Sequence, residues 1–509
     1  MKADIEPIVQ ALDEAGLLVE RHGALPQSIT GITDDSRAVT EGGLFVAVQG
    51  TARDGHEFLD AASGKGATVA IVQDSSRTRL PSIVVKDGRR AAAIAGAAAY
   101  GYPARDLQLV GVTGTNGKTT TVNMLRHLLD DGAVTASSDR TRAAPQGGAI
   151  TRVRSASIGT LGVLIGSEGT PLAGGGGLTT PGPIELQRVF RSLIDAGVRR
   201  IAMEVSSHSL DQHRIEGVFF DVVTFTNLTR DHLDYHGTME KYFAAKAKLL
   251  DYLLPHGTVV FNMDDPAWGE LKTIRRRVAF SARVPAEVHA ADIRFGPRGS
   301  EFTLVLGADR VKVRLPLIGD FNVLNALAAA ASAFAIGVRA QHIADRLSSM
   351  PQVPGRLEVL RESPTVLRDY AHTPDALDRA LDAVRPFAPE RLIVVFGCGG
   401  DRDKGKRPEM GGIAERKADF AIVTSDNPRT EDPEAILDDI EKGMNRANHE
   451  RIEDRRAAIE RALATANPAD VIVLAGKGHE DYQVRGTEKL PFDEKLIVGE
   501  LSQQIGLNV

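Results

Sequence analysis

Residues 107–120 read LQLVGVTGTNGKTT, a short apolar run that leads into a glycine-rich loop. Downstream, apolar residues recur at helical spacing, at Val122, Leu125, Leu128 and Leu129. The pattern predicts a strand, a tight loop and a helix in that order. This is the context of a phosphate-binding loop, in which loop amides and the helix N-terminus face phosphate oxygens. The spacing departs from strict G-x4-G-K-[ST], since Val112 stands in place of the first glycine.

The loop predicts a nucleotide site. Its ATP-binding residues are expected to be Gly114, Thr115, Asn116, Gly117, Lys118, Thr119 and Thr120. Lys118 would bring positive charge to the β- and γ-phosphates, and the Thr119 hydroxyl is the natural magnesium ligand. A glycine turn with a purely structural purpose is the alternative interpretation.

Length and composition indicate a globular α/β protein. The chain has 509 residues, 42% of them apolar and 25% charged, and 50 glycines, many of which follow short Val, Ile or Leu runs. About three domains are expected at this length, and changes of pattern place them at residues 1–105, 106–350 and 351–509. The expected fold is a small α/β N-terminal domain, a central ATPase domain of the P-loop type and a Rossmann-like C-terminal domain, with mostly parallel sheets.

Apolar runs outside the phosphate loop predict further strands and the connections between them. Strands are expected at residues 43–50, 66–73, 199–205, 220–227, 257–262, 365–369, 392–396, 420–424 and 471–474. An alanine-rich helix is expected to start near Asn322. Residues 130–157 and 166–177 are interpreted as loops, and residues 350–356, with two prolines and a glycine, as a linker.

Charge and cysteine content exclude several classes of protein. The net charge of -6 offers no basic field for nucleic acid or anionic lipid. The single cysteine, Cys398, cannot form an internal disulfide, which indicates a reducing compartment. The N-terminus lacks the apolar core of a signal peptide, and the longest apolar run is too short to span a bilayer. A cytoplasmic protein that binds neither nucleic acid nor membrane is expected, acting as a monomer.

Two more polar segments follow predicted strands. Residues 203–208 read MEVSSH, and residues 227–236 read NLTRDHLDYH. Parallel strands would bring both loops beside the phosphates, where a carboxylate and an imidazole could complete magnesium coordination with Thr119. Histidines that only make hydrogen bonds within a loop are the alternative.

The motifs, taken in order, resemble those of the Mur ligases, the ATP-dependent enzymes that build the peptide stem of peptidoglycan. After TGTNGKTT, EVSSH and TRDHLDYHG, the resemblance continues through YFAAKAKLL, GDFNVLNALAA, DYAHTPDAL, GCGGDRDKGKR, SDNPRTEDP and AGKGHEDYQ. It covers nearly the whole chain.

The resemblance implies roles for residues of the central and C-terminal domains. Glu204 and His232 match the family's magnesium ligands, and Lys246 matches a lysine whose carbamate holds a second magnesium. Lys118, Lys246 and His232 are therefore the implied catalytic set. Asn325 would contact adenine, and His372 and Asp375 would complete the nucleotide site. Two alternatives remain: Lys248 in place of Lys246, and Asp375 as the cap of a helix that begins at Pro374.

The resemblance also implies a uridine-nucleotide substrate. In the N-terminal domain the implied UDP contacts are Ser36, Thr51, Ala52 and Arg53. In the central domain the matching positions for a muramoyl dipeptide are Thr179, Thr180, Ser206, Gln212 and Arg214. A planar guanidinium suits a carboxylate or phosphate because it donates two parallel hydrogen bonds.

The motif SDNPR, at residues 425–429, indicates which amino acid is added. Meso-diaminopimelate differs from lysine by a carboxylate at its far end, and Arg429 and Arg402 could bind that group. The far ammonium would be bound by Asp426, Asn427, the Gly476 carbonyl and Glu480. The form DNPR resembles members that add diaminopimelate, and addition of L-lysine is the alternative. As a further alternative, Arg429 is a surface arginine near a turn.

The implied reaction begins when the glutamate carboxylate of UDP-MurNAc-L-Ala-D-Glu attacks the γ-phosphate of ATP. An amine then displaces phosphate from the acyl phosphate, and closure of two domains would exclude water. One rival is a folylpolyglutamate-type ligase, which lacks a UDP-binding N-terminal domain, so residues 1–105 argue against it. A non-catalytic nucleotide-binding switch protein is a rival of another class.

Overall fold

The structure is a computed structural model that describes residues 2–50, 53–130, 154–175 and 177–506. The predicted UDP contacts Thr51 and Ala52 lie outside the described residues, as does most of the stretch 130–157. Strands of the described chain form three large sheets, each built from a separate, consecutive part of the sequence. This is the three-domain α/β architecture that the sequence predicts.

The first sheet has five strands and lies within residues 18–85. In spatial order its strands are Leu18–His22, Ser82–Val85, Ala67–Val72, Gly43–Val46 and Ile32–Thr33. All pairs are parallel except the first. The helices are Ile5–Glu14, Leu59–Gly64 and Gly88–Ala99. A two-stranded ladder joins Ala3–Asp4 to Ser28–Ile29.

The second sheet has eleven strands and carries the phosphate loop. In spatial order they are Thr170–Leu172, Gly162–Ile165, Arg154–Gly159, Val198–Glu204, Gln108–Thr113, Phe220–Phe225, Leu253–Asn262, Arg276–Ser281, Val288–Gly296, Gly299–Leu306 and Asp309–Leu315. The middle of the sheet is parallel, and an antiparallel extension closes each end. The helices are Lys118–Leu129, Pro183–Asp195, Ser207–Asp211, Leu233–His236, Met239–Ala247, Asp320–Ala335 and Ala340–Ser348.

The third sheet has six strands within residues 358–475. In spatial order they are Glu358–Glu362, Thr365–Asp369, Val471–Ala475, Leu392–Phe396, Phe420–Val423 and His449–Arg451, and all pairs but the first are parallel. A hairpin pairs Tyr482–Arg485 with Glu488–Pro491. The helices are Pro374–Val384, Lys406–Lys417, Pro433–Glu441, Arg455–Thr465 and Glu494–Gln504.

The structure confirms the predicted strands, with shifts of a few residues at their ends, and corrects two predicted loops. Within residues 166–177, Thr170–Leu172 is an edge strand that pairs with Gly162–Ile165. Arg154–Gly159 is also a strand, and it pairs with Val198–Glu204. Both corrections have one reason: ladder hydrogen bonds to a neighbouring strand stabilise an extended backbone that the local sequence does not favour.

The phosphate-loop helix is part of the central hydrophobic core. Its apolar residues Val122, Leu125, Leu128 and Leu129 are all at most 1% exposed. They pack with the sheet on one side and with the alanine-rich helix Asp320–Ala335 on the other. Since small side chains let the two helices lie close together, the loop at the N-terminus of the first helix is held on a rigid support.

In the described part of the chain, no helix is long and apolar enough to cross a membrane. Cys398 is buried, and its thiol lies 3.7 Å from the sulfur of Met410. Burial raises the pKa of the Cys398 thiol to about 12, so this group stays protonated and unreactive at neutral pH.

His127, at the far end of the phosphate-loop helix, predicts acid sensitivity. Burial, reinforced by Arg346 and Arg126, lowers the pKa of His127 to about 4, below the roughly 6.5 of an exposed histidine. The unfolded chain therefore binds the proton more tightly, so the stabilisation is complete above about pH 6.5 and is lost as the pH falls towards 4. We expect His127→Asn to recover about 2 kcal/mol of unfolding free energy at pH 4.5 relative to pH 7.

Urea unfolding of wild type and variant at both pH values measures this difference. The control is His256→Asn, which changes an exposed histidine. Equal losses of stability in wild type and H127N between pH 7 and 4.5 would contradict the assignment.

Candidate active site

The phosphate loop is shaped by two glycines that no other residue could replace without strain. Gly114 and Gly117 have φ of 148° and 84°. A Cβ on Gly114 would lie 1.9 Å from the Thr226 hydroxyl, and one on Gly117 would lie 2.2 Å from Oδ1 of Asn325. The loop is thus packed against the next strand end and against the residue implied to contact adenine.

This packing makes Gly117→Ala a sharp test of the loop. We expect at least a roughly tenfold weaker affinity for ADP, because the new methyl group must displace the Asn325 amide; tenfold corresponds to about 1.4 kcal/mol. Isothermal titration of ADP measures it. Gly162→Ala is a matched control, since Gly162 has a φ of 82° but open space around its Cβ position. Equal effects of the two substitutions would mean that backbone strain alone matters.

Half-buried Lys118 and buried Lys246 both donate to one carbonyl of the loop. Lys118 Nζ donates to the carbonyls of Gly114 and Thr115, both at 2.8 Å, and Lys246 Nζ donates to the Gly114 carbonyl at 2.7 Å. Burial lowers the pKa of Lys118 and lowers that of Lys246 well below its usual range, and the neighbouring Lys118 charge adds to the shift of Lys246. A phosphate group placed here would meet the Lys118 ammonium, with the Lys246 amine beside it.

The structure separates Lys246 from its neighbour Lys248. Lys246 is 1% exposed, and its ammonium lies over the Tyr242 ring, 4.4 Å from the centroid. Lys248 points to the surface, where it forms an ion pair with Asp211 at 3.0 Å. The geometry therefore favours Lys246 over Lys248 as the residue that acts in the site.

The predicted magnesium ligands only partly come together. Thr119 Oγ1 donates to Oε2 of buried Glu204 at 3.1 Å, and Thr160 also donates to this carboxylate. The strands that carry Glu204 and His232 flank the phosphate-loop strand on either side. Among the described residues, no group of three or more His, Cys, Asp or Glu side chains converges as a metal site. An oxygen-rich pair, Thr119 and Glu204, is what the protein presents beside the loop.

His232 belongs to a group of aromatic rings and lines the same cavity as Thr119 and Glu204. Its ring is 4.8 Å from that of His208, and its Nε2 is 3.4 Å from the Asp231 carboxylate. Partial burial lowers the pKa of His232 below its usual range, although Asp231 opposes the shift. The imidazole is therefore neutral at pH 7 and free to use a nitrogen lone pair.

The third domain contacts the phosphate loop directly. Asn116 Nδ2 donates to Oδ2 of Asp375 at 2.9 Å, so the predicted nucleotide residue Asp375 lies at the loop. Asp375 is not the cap of its helix: the Thr373 hydroxyl accepts the Ala376 amide in that role. Asp375 instead forms an ion pair with Arg379, one turn along the helix, at 3.0 Å. The capping alternative is therefore wrong for Asp375.

His372 and an unpredicted arginine line the same boundary. His372 Nδ1 is 2.8 Å from the Tyr370 carbonyl, and the ring is half-buried. Arg356, the last residue of the linker 350–356, donates to Thr119 Oγ1 at 3.0 Å. The sequence offers one indication that Arg356 belongs to the site. It ends a proline-containing connection between two domains that are both expected to contact ATP. Asn325 is buried and donates to Asn322 at 3.1 Å.

These groups surround one cavity of about 620 Å³ between the central and C-terminal domains. Its polar lining includes the phosphate loop, Glu204 and His232. Its apolar lining includes Phe280, Phe321 and Leu324. Size and lining suit a nucleotide whose base lies among apolar side chains and whose phosphates reach the loop.

The predicted contacts of the dipeptide substrate form a connected cluster next to this cavity. Thr180 Oγ1 donates to the Glu204 carbonyl at 2.9 Å, and the Ser206 amide donates to Thr180 Oγ1 at 3.1 Å. Arg214 donates to the Thr180 carbonyl and, twice, to Oε1 of Gln212. Thr179 lies 3.3 Å from the Thr160 hydroxyl.

The predicted UDP contacts that the structure describes in the first domain are more exposed than those of the dipeptide cluster. Ser36 is half-buried. Arg53 is exposed, and its carbonyl accepts a hydrogen bond from the Gly50 amide at 2.9 Å. A polar cavity of about 270 Å³ opens beside Gln49 and Gly50. Arg90 of the first domain donates to Oε1 of Glu216 at 2.8 Å, two residues beyond Arg214, so the first domain contacts the segment that carries the dipeptide cluster.

The predicted amino-acid residues meet at the carboxyl ends of neighbouring strands in the third sheet. Asn427 Nδ2 donates to Oε2 of Glu480 at 2.9 Å, and a Cβ on Gly476 would lie 3.3 Å from Oδ2 of Asp426. Arg429 donates to the Gly400 carbonyl at 2.6 Å. Exposed Arg402 lies across Gly399 from Arg429. The structure thus brings all six residues to one edge of the sheet.

The chain is similar to known proteins over nearly its whole length. Family models match at residues 28–104 (Mur ligase family, catalytic domain), 112–333 (Mur ligase middle domain) and 355–478 (Mur ligase, glutamate ligase domain). The chain is 41% identical over 489 residues to UDP-N-acetylmuramoyl-L-alanyl-D-glutamate--2,6-diaminopimelate ligase of Geobacillus kaustophilus, covering 94% of this chain and 95% of that protein.

Solved structures give the same picture. A structure of UDP-N-acetylmuramoyl-L-alanyl-D-glutamate--2,6-diaminopimelate ligase superposes with a TM-score of 0.65 at 32% identity, over 100% of both chains. MurF ligase from Thermotoga maritima, solved in complex with ADP, has a TM-score of 0.63 at 19% identity, over 94% of this chain and 98% of that one. At this lower identity the likeness concerns the fold.

Proposed function

The chain belongs to the Mur ligase family, and we propose that it catalyses the ATP-dependent addition of meso-diaminopimelate to the D-glutamate of UDP-MurNAc-L-Ala-D-Glu. The observation that carries the proposal is the cluster of Arg429, Asp426, Asn427 and Glu480 in the domain that shares the nucleotide cavity. An acceptor carboxylate, ATP and an amino acid would then meet between two domains. The 41% sequence identity to a diaminopimelate ligase, over 94% of the chain, supports the proposal.

The domains divide the work in this proposal. Residues 1–105 bind UDP, residues 106–350 bind ATP, and residues 351–509 bind the incoming amino acid. The reaction belongs to peptidoglycan precursor synthesis, and hence to cell-wall biogenesis, cell shape and division. Its place is the cytoplasm, where ATP and nucleotide-linked precursors occur.

In the first chemical step, a carboxylate oxygen of the D-glutamate attacks the γ-phosphorus of ATP, and ADP leaves. Lys118 is placed to neutralise charge that develops on the transferred group, because its ammonium already lies at the phosphate loop. Arg214 and the Thr180 hydroxyl hold the acceptor in place. The product of this step is an acyl phosphate.

In the second step, the amine nitrogen of diaminopimelate attacks the acyl carbon, phosphate leaves, and the nitrogen loses a proton. An amide remains. The walls contributed by Tyr370, Ala371 and His372 limit access of water to the reactive acyl group. Without such walls, hydrolysis would consume ATP with no amide formed.

Magnesium fits the residues at the loop. Thr119 and Glu204 present oxygens, His232 is held neutral, and a carbamate on Lys246 would add an anionic oxygen donor. When bound, magnesium supplies charge neutralisation on the phosphates. The deeply buried Lys246 amine suits carbamate formation, because a neutral amine is the form that attacks CO2.

The test is direct. Purified protein is incubated with Mg²⁺, ATP and UDP-MurNAc-L-Ala-D-Glu, with meso-diaminopimelate or L-lysine in parallel, and UDP products are weighed by mass spectrometry. A mass gain with diaminopimelate alone is expected. A gain with lysine alone would keep the ligase and overturn the specificity, and no gain with either would overturn the proposal.

A further inference from the structure

A lysine that the sequence reasoning passed over lies inside the predicted amino-acid site. Lys477 is 0% exposed. Its Nζ is 3.1 Å from Oδ1 of Asn427 and 3.3 Å from Oε2 of Glu480, both as hydrogen-bond donor, and 3.6 Å from Oδ1 of Asp426. The protein's own ammonium thus lies among the three side chains implied to bind the ammonium of the substrate.

The surrounding structure fixes Lys477 in this place. The Tyr482 and Phe492 rings flank its ammonium, with centroids 5.9 and 6.0 Å away. A Cβ on the next residue, Gly478, would lie 2.7 Å from Cβ of Tyr370. Upstream, Arg455 donates to the Ala475 carbonyl at 2.9 Å. The loop that carries Lys477 therefore has little room to move.

Lys477 makes different contacts with the carboxylates of Glu480 and Asp426. Glu480 Oε2 accepts hydrogen bonds from both Lys477 and Asn427. Asp426 Oδ1 is buried and accepts no hydrogen bond, with Lys477 near it at ion-pair distance. A buried acceptor without a donor is costly, so Asp426 is the group poised to take an incoming ammonium.

We propose that Lys477 is a specificity-determining residue: it neutralises Glu480, so that the site favours an amino acid whose far end carries both an ammonium and a carboxylate over one that carries an ammonium alone. The inference rests on the proposed function. With Glu480 paired, Asp426 remains for the ammonium, and Arg429 and Arg402 remain for the carboxylate. The far end of diaminopimelate satisfies both kinds of charge.

Lysine would leave this balance unmet. Its far ammonium could pair with Asp426, but Arg429 would then face no carboxylate, and the ligand would add a net positive charge to a site that already holds Lys477 and Arg429. Juxtaposed like charges in a partly buried site act as a barrier to the wrong ligand. Discrimination therefore comes from a repulsive element inside the protein as well as from the attraction of Arg429.

The experiment compares kcat/KM for meso-diaminopimelate and for L-lysine in wild type and in Lys477→Met, which keeps side-chain length and removes the charge. We expect the ratio of the two values to fall at least about tenfold, with KM for ATP unchanged. The matched control is Lys489→Met, because Lys489 also lies over the Tyr482 ring, at 4.1 Å, but on the exposed hairpin. The control is expected to keep the wild-type ratio.

The double variant K477M/E480Q separates charge from packing. If Lys477 acts by neutralising Glu480, removing both charges restores the ratio at least severalfold relative to K477M, even though total activity stays low. If Lys477 only supports the loop, both substrates lose activity equally in K477M, the ratio stays at the wild-type value, and the inference is overturned.

Failure of the inference is distinguishable from failure of the proposed function. Wild-type enzyme that adds neither amino acid contradicts the proposed function before any variant is made. Wild-type enzyme that prefers diaminopimelate, together with a K477M variant of equal preference, contradicts only the role of Lys477. Should K477M fail to fold, judged by its thermal unfolding, Lys477→Gln is measured in its place with the same expected fall in the ratio.

Discussion

Replacing Lys246 with alanine is expected to lower kcat by at least about a thousandfold, the scale associated with loss of a group that stabilises charge in a transition state. Lys246 is buried at the phosphate loop, and its environment disfavours the ammonium form. As a carbamate it would contribute an anionic oxygen to magnesium; as a neutral amine it could not. Amino-acid-dependent release of phosphate measures the rate.

The control for this substitution is Lys248→Ala, two residues along the chain. Lys248 pairs with Asp211 near the surface, and such pairs contribute about 0–1 kcal/mol, so little change is expected. ADP titration of K246A shows whether the loop still binds nucleotide. Equilibration with ¹³C-bicarbonate should give a carbamate carbon signal in wild type that K246A lacks. A fully active K246A would contradict the role.

Arg429→Met is expected to lower kcat/KM for meso-diaminopimelate about a thousandfold, while that for lysine changes by only a few-fold. The difference arises because a substrate carboxylate left without its partner in a partly buried site costs about 3–5 kcal/mol. Initial rates with each amino acid measure both values. Arg456→Met, which removes an arginine of a surface ion pair with Glu500, is the control.

A second outcome for Arg429→Met is informative. Arg429 also donates to the Gly400 carbonyl, so it supports the loop on which Arg402 lies. Equal losses with both amino acids would assign Arg429 to that structural role and remove the basis for its selectivity. The alternative of a plain surface arginine predicts no loss at all.

The sequence predicted the phosphate loop well because its signal is local. A strand, two positive-φ glycines and an apolar-periodic helix are written within some twenty residues, and Gly114 and Gly117 lie where the pattern requires. Strands at residues 392–396 and 365–369 are likewise continuous apolar runs that a buried parallel sheet produces. The strands between residues 276 and 315 were not predicted, because polar residues interrupt them and they lack the continuous apolar runs of the buried parallel strands.

Local sequence patterns could not predict contacts between distant parts of the chain. Asp375 was predicted to serve the nucleotide, yet its partner Asn116 is 259 residues away and no spacing rule connects them. Lys477 stands between Gly476 and Glu480, two residues that were selected, but its burial became visible only when three strand ends were assembled. Arg356 was missed for the same reason, since a linker was expected to carry no chemistry.

The hydrogen bonds from Asn116 to Asp375 and from Arg356 to Thr119 also bear on turnover. A nucleotide lying between these residues would be enclosed by two domains, so we expect ADP to depart only after both hydrogen bonds break. Domain separation is then a kinetic step of every cycle, slowed by solvent viscosity in a way that bond-making is not. A residue with no part in either chemical step, such as Arg356 at the end of the linker 350–356, can in this way limit the rate of turnover.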